Sequence, residues 1–325
     1  MTSKRFLPLP LEGEGRGEGK PLAAAFVFLV LFTGACGNYS NEDLEFMNAV
    51  PAREDLAANM PRSMILPANE AELSRETHDV IRAFNGALDF LDAADVIRTF
   101  QPTTRVPNGR IWGPWPMNDH AGWEWRFRMT RDSATAEMFK YWFEVRPIGT
   151  GDDSWILFID GWFVPTGGGA RRGMGFFHMQ ADDLRAGGFP ILPDADQNIF
   201  SDLKVMYSTA AFPVSVTMTL VLYPKGDFTN TATIVFHYEQ QENGQGAMEF
   251  SGTNAASGAS LSITSRWLAS GAGRAEAVGQ NAAGETATWT ECWNDQFVSV
   301  YNSNPFETPP VTTGDPALCP DISTL

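Results

Sequence analysis

The side chains able to do covalent or acid–base chemistry are few, and their spacing excludes most catalytic designs. The 325 residues contain three cysteines, Cys36, Cys292 and Cys319, and four histidines. That set offers no ligand spacing for a structural metal. The chain contains no Gly-x-Ser-x-Gly elbow, no His-Glu-x-x-His pair, no Walker loop, no Cys-x-x-Cys and no dinucleotide fingerprint after a strand. Carboxylates occur as Asp152-Asp153, as Asp182-Asp183, and as Glu291 with Asp295. A glycosidase needs two carboxyls facing each other across a cleft, whereas neighbours on a strand point to opposite faces. Asp194 to Asn198 opens like a calcium loop, but Ile199 stands at its sixth position and Val205 at its twelfth. His78 is expected beside the apolar stripe of a helix, partly exposed; His178 and His237 fall on strands and His120 in a loop, none paired with a nucleophile. The reading is non-enzymatic, with no cofactor and no metal.

Cys36 carries the clearest signal. Leu22 to Phe32 is an unbroken apolar run of eleven residues. A bilayer-spanning helix takes about 20, whereas the apolar core of an export signal takes about 7–15. Arg16 and Lys20 precede the run, and Thr33, Gly34 and Ala35 lead directly to Cys36. Thr-Gly-Ala-Cys resembles the bacterial lipobox, with Thr where Leu is commoner. Its small residues admit a peptidase, and its thiol accepts a diacylglycerol, palmitate then acylating the new N-terminus. Residues 1–20 mix acids into a region that should be basic, and no Met lies between Met1 and Met47. A translation start downstream of Met1 is therefore expected.

Without 1–35, which holds four basic and three acidic residues, 19 basic groups face 36 acidic ones, a formal charge of −17. Such a body repels nucleic acid and anionic head groups, so attachment to a membrane must come from the acyl chains on Cys36. With Cys36 lipidated, Cys292 and Cys319 remain, and an exported compartment oxidises them. A disulfide over that separation contributes about 3.5 kcal/mol on chain-entropy arguments.

These groups sit on a chain that divides into an export signal (1–35), a tether and docking segment (36–66), one domain (67–303) and a tail (304–325). Brief helices are expected near 42–48 and 52–59. A long helix is expected from about Asn69, as its cap, to Phe100, with Leu73, Val80, Ile81, Phe84, Leu88 and Leu91 on one face and Gly86 as a weak point. From Trp123 the apolar period changes from 3.6 to 2. Trp123, Trp125, Phe127 and Met129 alternate with polar residues, and so do Phe139, Tyr141, Phe143 and Val145. Similar strands follow up to Tyr301, separated by turn signals such as Asn243-Gly244, with one short helix at 181–186. Links of hairpin length require antiparallel pairing. The expected fold is mainly β (α+β): a long antiparallel meander of about eleven strands, curled into a barrel, half-barrel or sandwich, with the long N-terminal helix packed on it.

Ten tryptophans raise the question of a ligand platform, and Trp112 and Trp115 in Gly-Arg-Ile-Trp-Gly-Pro-Trp-Pro are the compact candidate. That phrase, with Ser265-Arg266-Trp267, Gly271-Ala272-Gly273-Arg274 and Glu291-Cys292-Trp293, resembles lipoproteins of uncharacterised function in myxobacteria-like Gram-negative bacteria. The resemblance implies location and a β-rich body, brings no activity, and marks Trp112, Trp115 and Arg274 as a candidate ligand surface. The expected role is that of a lipid-anchored outer-membrane protein, on the periplasmic face or cell surface. Its partner would be an envelope protein; the alternatives are an apolar-ligand carrier and a glycan-binding module. A carrier requires a hollow interior.

Overall fold

Period-two alternation builds almost the whole body. In the computed structural model, residues 39–61, 69–94, 96–132, 137–166, 170–190, 199–224, 228–254 and 257–321 are described. The first strands are β1 (Thr104–Val106), β2 (Gly109–Pro116), β3 (Trp123–Asp132), β4 (Met138–Pro147) and β5 (Ile156–Pro165). Next come β6 (Gly173–Gln180), β7 (Ile199–Ser208), β8 (Val214–Tyr223), β9 (Ala232–Gln240) and β10 (Gly246–Asn254). The last are β11 (Ser260–Trp267), β12 (Gly273–Gln280), β13 (Thr286–Trp293), β14 (Ser299–Asn304) and β15 (Val311–Gly314). All fifteen form one antiparallel sheet in sequence order. The sheet is not closed: β1 and β15 are its edges. Both edges are short and mostly exposed, which limits strand addition by other chains.

Connections alternate between two ends of the sheet. The β1–β2, β3–β4, β5–β6 and β7–β8 links lie at one end, and the β2–β3, β4–β5, β6–β7 and β8–β9 links at the other. A ten-residue strand such as β4 separates the ends by roughly 30 Å.

One face of the sheet is apolar over nearly its full width. A single rung runs in register from Met129 through Tyr141, Gly161, Phe177, Val205, Met218, Phe236, Phe250, Ile263 and Ala277 to Trp289. Gly161 leaves the room that Tyr141 fills: a Cβ there would stand 2.5 Å from the ring.

The described residues between 39 and 100 cover this face. Helix α1 (Asn41–Asn48) is capped by Ser40, whose Oγ accepts from the Asp43 N–H. It sets Phe46 edge-on against Phe139, with ring centres 5.2 Å apart. Asp43 is fully buried and accepts from Arg110 Nε at 2.6 Å and Arg105 Nη2 at 3.0 Å. Glu42 and Glu45 bind Arg131 at 3.1 and 2.6 Å. Helix α1 therefore lies at the end of the sheet that holds the β1–β2 and β3–β4 links, here termed the α1 end. Helix α2 (Arg53–Leu56) continues along this end, where Asp55 meets Arg171 at 2.8 Å.

Helix α3 (Glu72–Ala87) turns Leu73, Thr77, Val80, Ile81 and Phe84 inward. Phe84 meets Phe236 and Tyr238 at 5.8 and 6.1 Å. Each such fully buried apolar side chain is worth about 1.5–3 kcal/mol. The helix is shorter than the expected Asn69–Phe100 span, and Asn69 is not its cap. Its N-cap is Ala71, whose methyl cannot accept a hydrogen bond, and the amides there find acceptors on β13 and the β13–β14 link. The Ala71 N–H donates to Phe297 O at 2.8 Å and the Leu73 N–H to Glu291 Oε2 at 2.6 Å. At the far end Asn85 and Gly86 are poor helix formers. The Asn85 side chain bonds the backbone of Ala58 in both directions, at 2.8 and 2.9 Å. The chain turns at Leu88 into the short helices α4 (Leu91–Ala94) and α5 (Val96–Thr99). That turn keeps Leu88, Leu91 and Ile97 buried and sets Phe90 4.9 Å from Phe177. His78, expected at the surface, is buried between Ser74 O and Pro61 O.

Cys292 and Cys319 form a disulfide, which ties the end of the tail to β13. No helix among the described residues is long and apolar enough to cross a membrane.

Burial pushes the Asp43 carboxyl up, but donors on Arg105, Arg110 and Ser40 more than reverse this and hold it well below the usual carboxylate range. A depressed folded-state pKa contributes stability above the ordinary value and loses it as pH falls below about 4. Urea titrations are expected to show a steeper acid loss in the wild type than in Asp43→Asn. Asp43→Ala, which strips buried Arg110 of its closest carboxylate, is expected to cost about 3 kcal/mol at neutral pH. Identical acid slopes would contradict this role for Asp43.

Candidate functional site

The space between the helical cover and the sheet is where a carrier would hold its ligand. It is filled by aromatic side chains from both layers. Phe46, Phe84 and Phe90 from the cover interlock with Phe139, Phe177, Phe236 and Tyr238 from the sheet. Two phenols lie in the middle, Tyr141 and Tyr207, and burial pushes both well above the ordinary tyrosine value. Tyr141 donates to Phe176 O at 3.0 Å. Tyr238, pushed up to about 12 by burial, accepts from the Asn59 N–H at 3.0 Å and donates to Gln240 at 2.8 Å. Tyr141 and Tyr238 act as neutral hydrogen-bond posts.

A cleft of about 200 Å³ opens at the α1 end. Glu54, Asp55, Arg171, Arg172, Phe212 and Gln240 are among the residues that line it. Arg171 has φ of 60°, a left-handed conformation uncommon for a non-glycine residue, and pairs with Asp55 and Glu54. The Arg172 guanidinium donates to Thr209 O at 3.1 Å and lies over the Phe212 ring at 5.8 Å. The cleft is smaller than the roughly 300–1,000 Å³ of ordinary small-molecule pockets, and its charges are of both signs. The Arg171-Arg172 pair is the only adjacent basic pair after residue 35, and sequence reading passed over it.

The structure does not bring the three residues marked as a ligand surface together. Trp112 is fully buried; its indole N–H donates to Phe100 O at 2.9 Å and its ring meets Phe127. Trp115 is partly buried against Phe100 and Trp125, at 5.5 and 5.0 Å. Arg274 lies on the outer face of β12, paired with Glu276. Trp112 and Trp115 belong to the packed interior at β2, ten strands away from Arg274.

The acid pairs are likewise accounted for. Asp152 binds Arg146 at 3.0 Å, Asp182 accepts from Ser201 and Tyr223, and Asp295 is exposed while Glu291 points inward. On the outer face His178 sits between Asp202, a direct partner, and Asp160 at 3.7 Å. Among the described residues no group of three or more His, Cys, Asp or Glu is placed to hold a metal ion. The calcium-like phrase at 194–198 and Cys36 lie outside the described residues.

No family model matches the chain, and neither a curated protein nor a solved structure matches it.

The carboxyl of Glu291, which meets the start of α3, is displaced from its ordinary value. Burial pushes it up, only partly offset by the Leu73 N–H, Ser299 and the Glu72 N–H. A raised acid pKa makes the folded state favour the proton, so stability from this group rises as pH falls towards the ordinary value. The wild type is expected to gain stability relative to Glu291→Gln as pH falls from neutrality towards the ordinary carboxylate range. Parallel stability curves for the two proteins over that range would contradict it.

Proposed function

We propose that this chain is a lipoprotein of the Gram-negative envelope, held to the outer membrane by acyl chains on Cys36. Its β-rich body acts by contact with another envelope component. It neither catalyses a reaction nor carries an apolar ligand. On this reading the sheet curls as an open half-barrel around the helical cover, because α1 pairs with β1 and β2 while α3 reaches β10, β12 and β13.

The observation that carries the reading is the filled interior. An acyl chain needs a continuous apolar channel, and the position it would take is occupied by Phe84, Phe90, Phe177 and Phe236. The anchor itself rests on the residues Thr33-Gly34-Ala35-Cys36 after an apolar run too short to span a bilayer. Attachment through lipid also suits a body whose net charge repels anionic head groups.

Expressed in a Gram-negative host, the wild-type chain is expected in the membrane fraction and Cys36→Ala in the soluble or medium fraction. The wild-type N-terminal peptide should carry the mass of a diacylglycerol and one further acyl chain. A Cys36→Ala chain that stays with the membrane through carbonate washing would overturn the anchor.

A further inference from the structure

We infer that the α1 end of the sheet lies against the bilayer, so the body is seated on lipid in one orientation and does not swing on a tether. This rests on the reading of Cys36 as the acylated residue. Only Gly37 and Asn38 separate Cys36 from Tyr39, the first described residue. Three residues of extended chain reach roughly 10 Å. Tyr39 already belongs to the body: its ring packs on the core and its hydroxyl donates to Arg98 O at 3.3 Å. Helix α1 begins two residues later and is fixed by the buried Asp43–Arg110 pair at 2.6 Å. A rigid body tied this closely to acyl chains must present its α1 end to the head groups.

The surface at that end suits a lipid partner. Leu44 on α1 and Val106 at the tip of β1 are 43% and 47% exposed. Each adjoins one member of the Asp43–Arg105 pair in sequence. Further along the same end Phe212 is 44% exposed beneath the Arg172 guanidinium. An apolar ring carrying a cation is the arrangement that places the ring among acyl carbons and the charge among phosphates. The acids on α1 and α2 are engaged: Glu42 with Arg110 and Arg131, Glu45 with Arg131, Glu54 and Asp55 with Arg171. Ile148 and Phe228 are equally exposed, at 50% and 51%, but lie on the β4–β5 and β8–β9 links at the opposite end, and serve as internal controls.

The test uses the full lipidated chain in vesicles of phosphatidylethanolamine and phosphatidylglycerol. Single cysteines at Val106→Cys, Phe212→Cys, Ile148→Cys and Phe228→Cys carry an environment-sensitive fluorophore. The native thiols are blocked, one by lipid and two by the disulfide. Flotation first reports the anchor. Quenching by doxyl-labelled lipid then reports the seat, and is expected to be severalfold greater at 106 and 212 than at 148 and 228. Equal quenching at both ends, or none in a chain that floats, would overturn the orientation while leaving the anchor standing. A lipidated chain that does not float would remove both.

Discussion

An open antiparallel sheet with one apolar face cannot stand alone in water, and the structure is organised around covering that face. The rung from Met129 to Trp289 presents apolar side chains across eleven strands, β3 to β13. Closure would have hidden them inside a barrel; instead the described residues between 39 and 100 lie over them. The cover is pinned electrostatically at both sides. At one, Asp43 draws Arg105 and Arg110 onto α1. At the other, Glu291 supplies the N-terminal acceptor that Ala71 cannot give to α3. Burial pushes both carboxylates up, but their partners give opposite outcomes. Asp43 meets two guanidinium groups and is held ionised, while Glu291 meets mainly backbone amides and is pushed towards its neutral form.

Much of this was legible in the residues because burial on one face writes itself as alternation. Trp125, Phe127 and Met129 face inward as their spacing predicts, and the Asn243-Gly244 signal does join β9 to β10. Three strands were not legible. In β2 the Gly113-Pro114 step interrupts the alternation, and the ladder accommodates it as a bulge between Trp112 and Trp115. Gly113 tolerates this because its φ is 93° and a Cβ would lie 2.6 Å from Trp125 O. Strands β1 and β15 are edge strands with almost no buried side chain, so they carry no apolar pattern to read.

The misread groups share a cause: tertiary partners that sequence spacing does not show. The apolar stripe suggested one helix to Phe100, but Asn85 pairs with the backbone of Ala58 and the chain bends at Leu88 to follow the sheet. His78 and Trp112 looked peripheral, yet backbone carbonyls of Pro61 and Phe100 satisfy their ring nitrogens inside the core. The Arg171-Arg172 cleft is assembled from α2, the β5–β6 and β7–β8 links and the end of β9, segments far apart in the chain. The disulfide was legible because only two cysteines remain once Cys36 is set aside, and the structure joins them.

The cover and the sheet fill each other's space, and the proposed surface role rests on that packing. The most direct measurement is the titration of the folded Cys36→Ala body with the probe 1-N-phenylnaphthylamine and with palmitate as competitor. No saturable fluorescence gain is expected with the folded protein. Stoichiometric binding to the folded protein, displaced by palmitate, would contradict it.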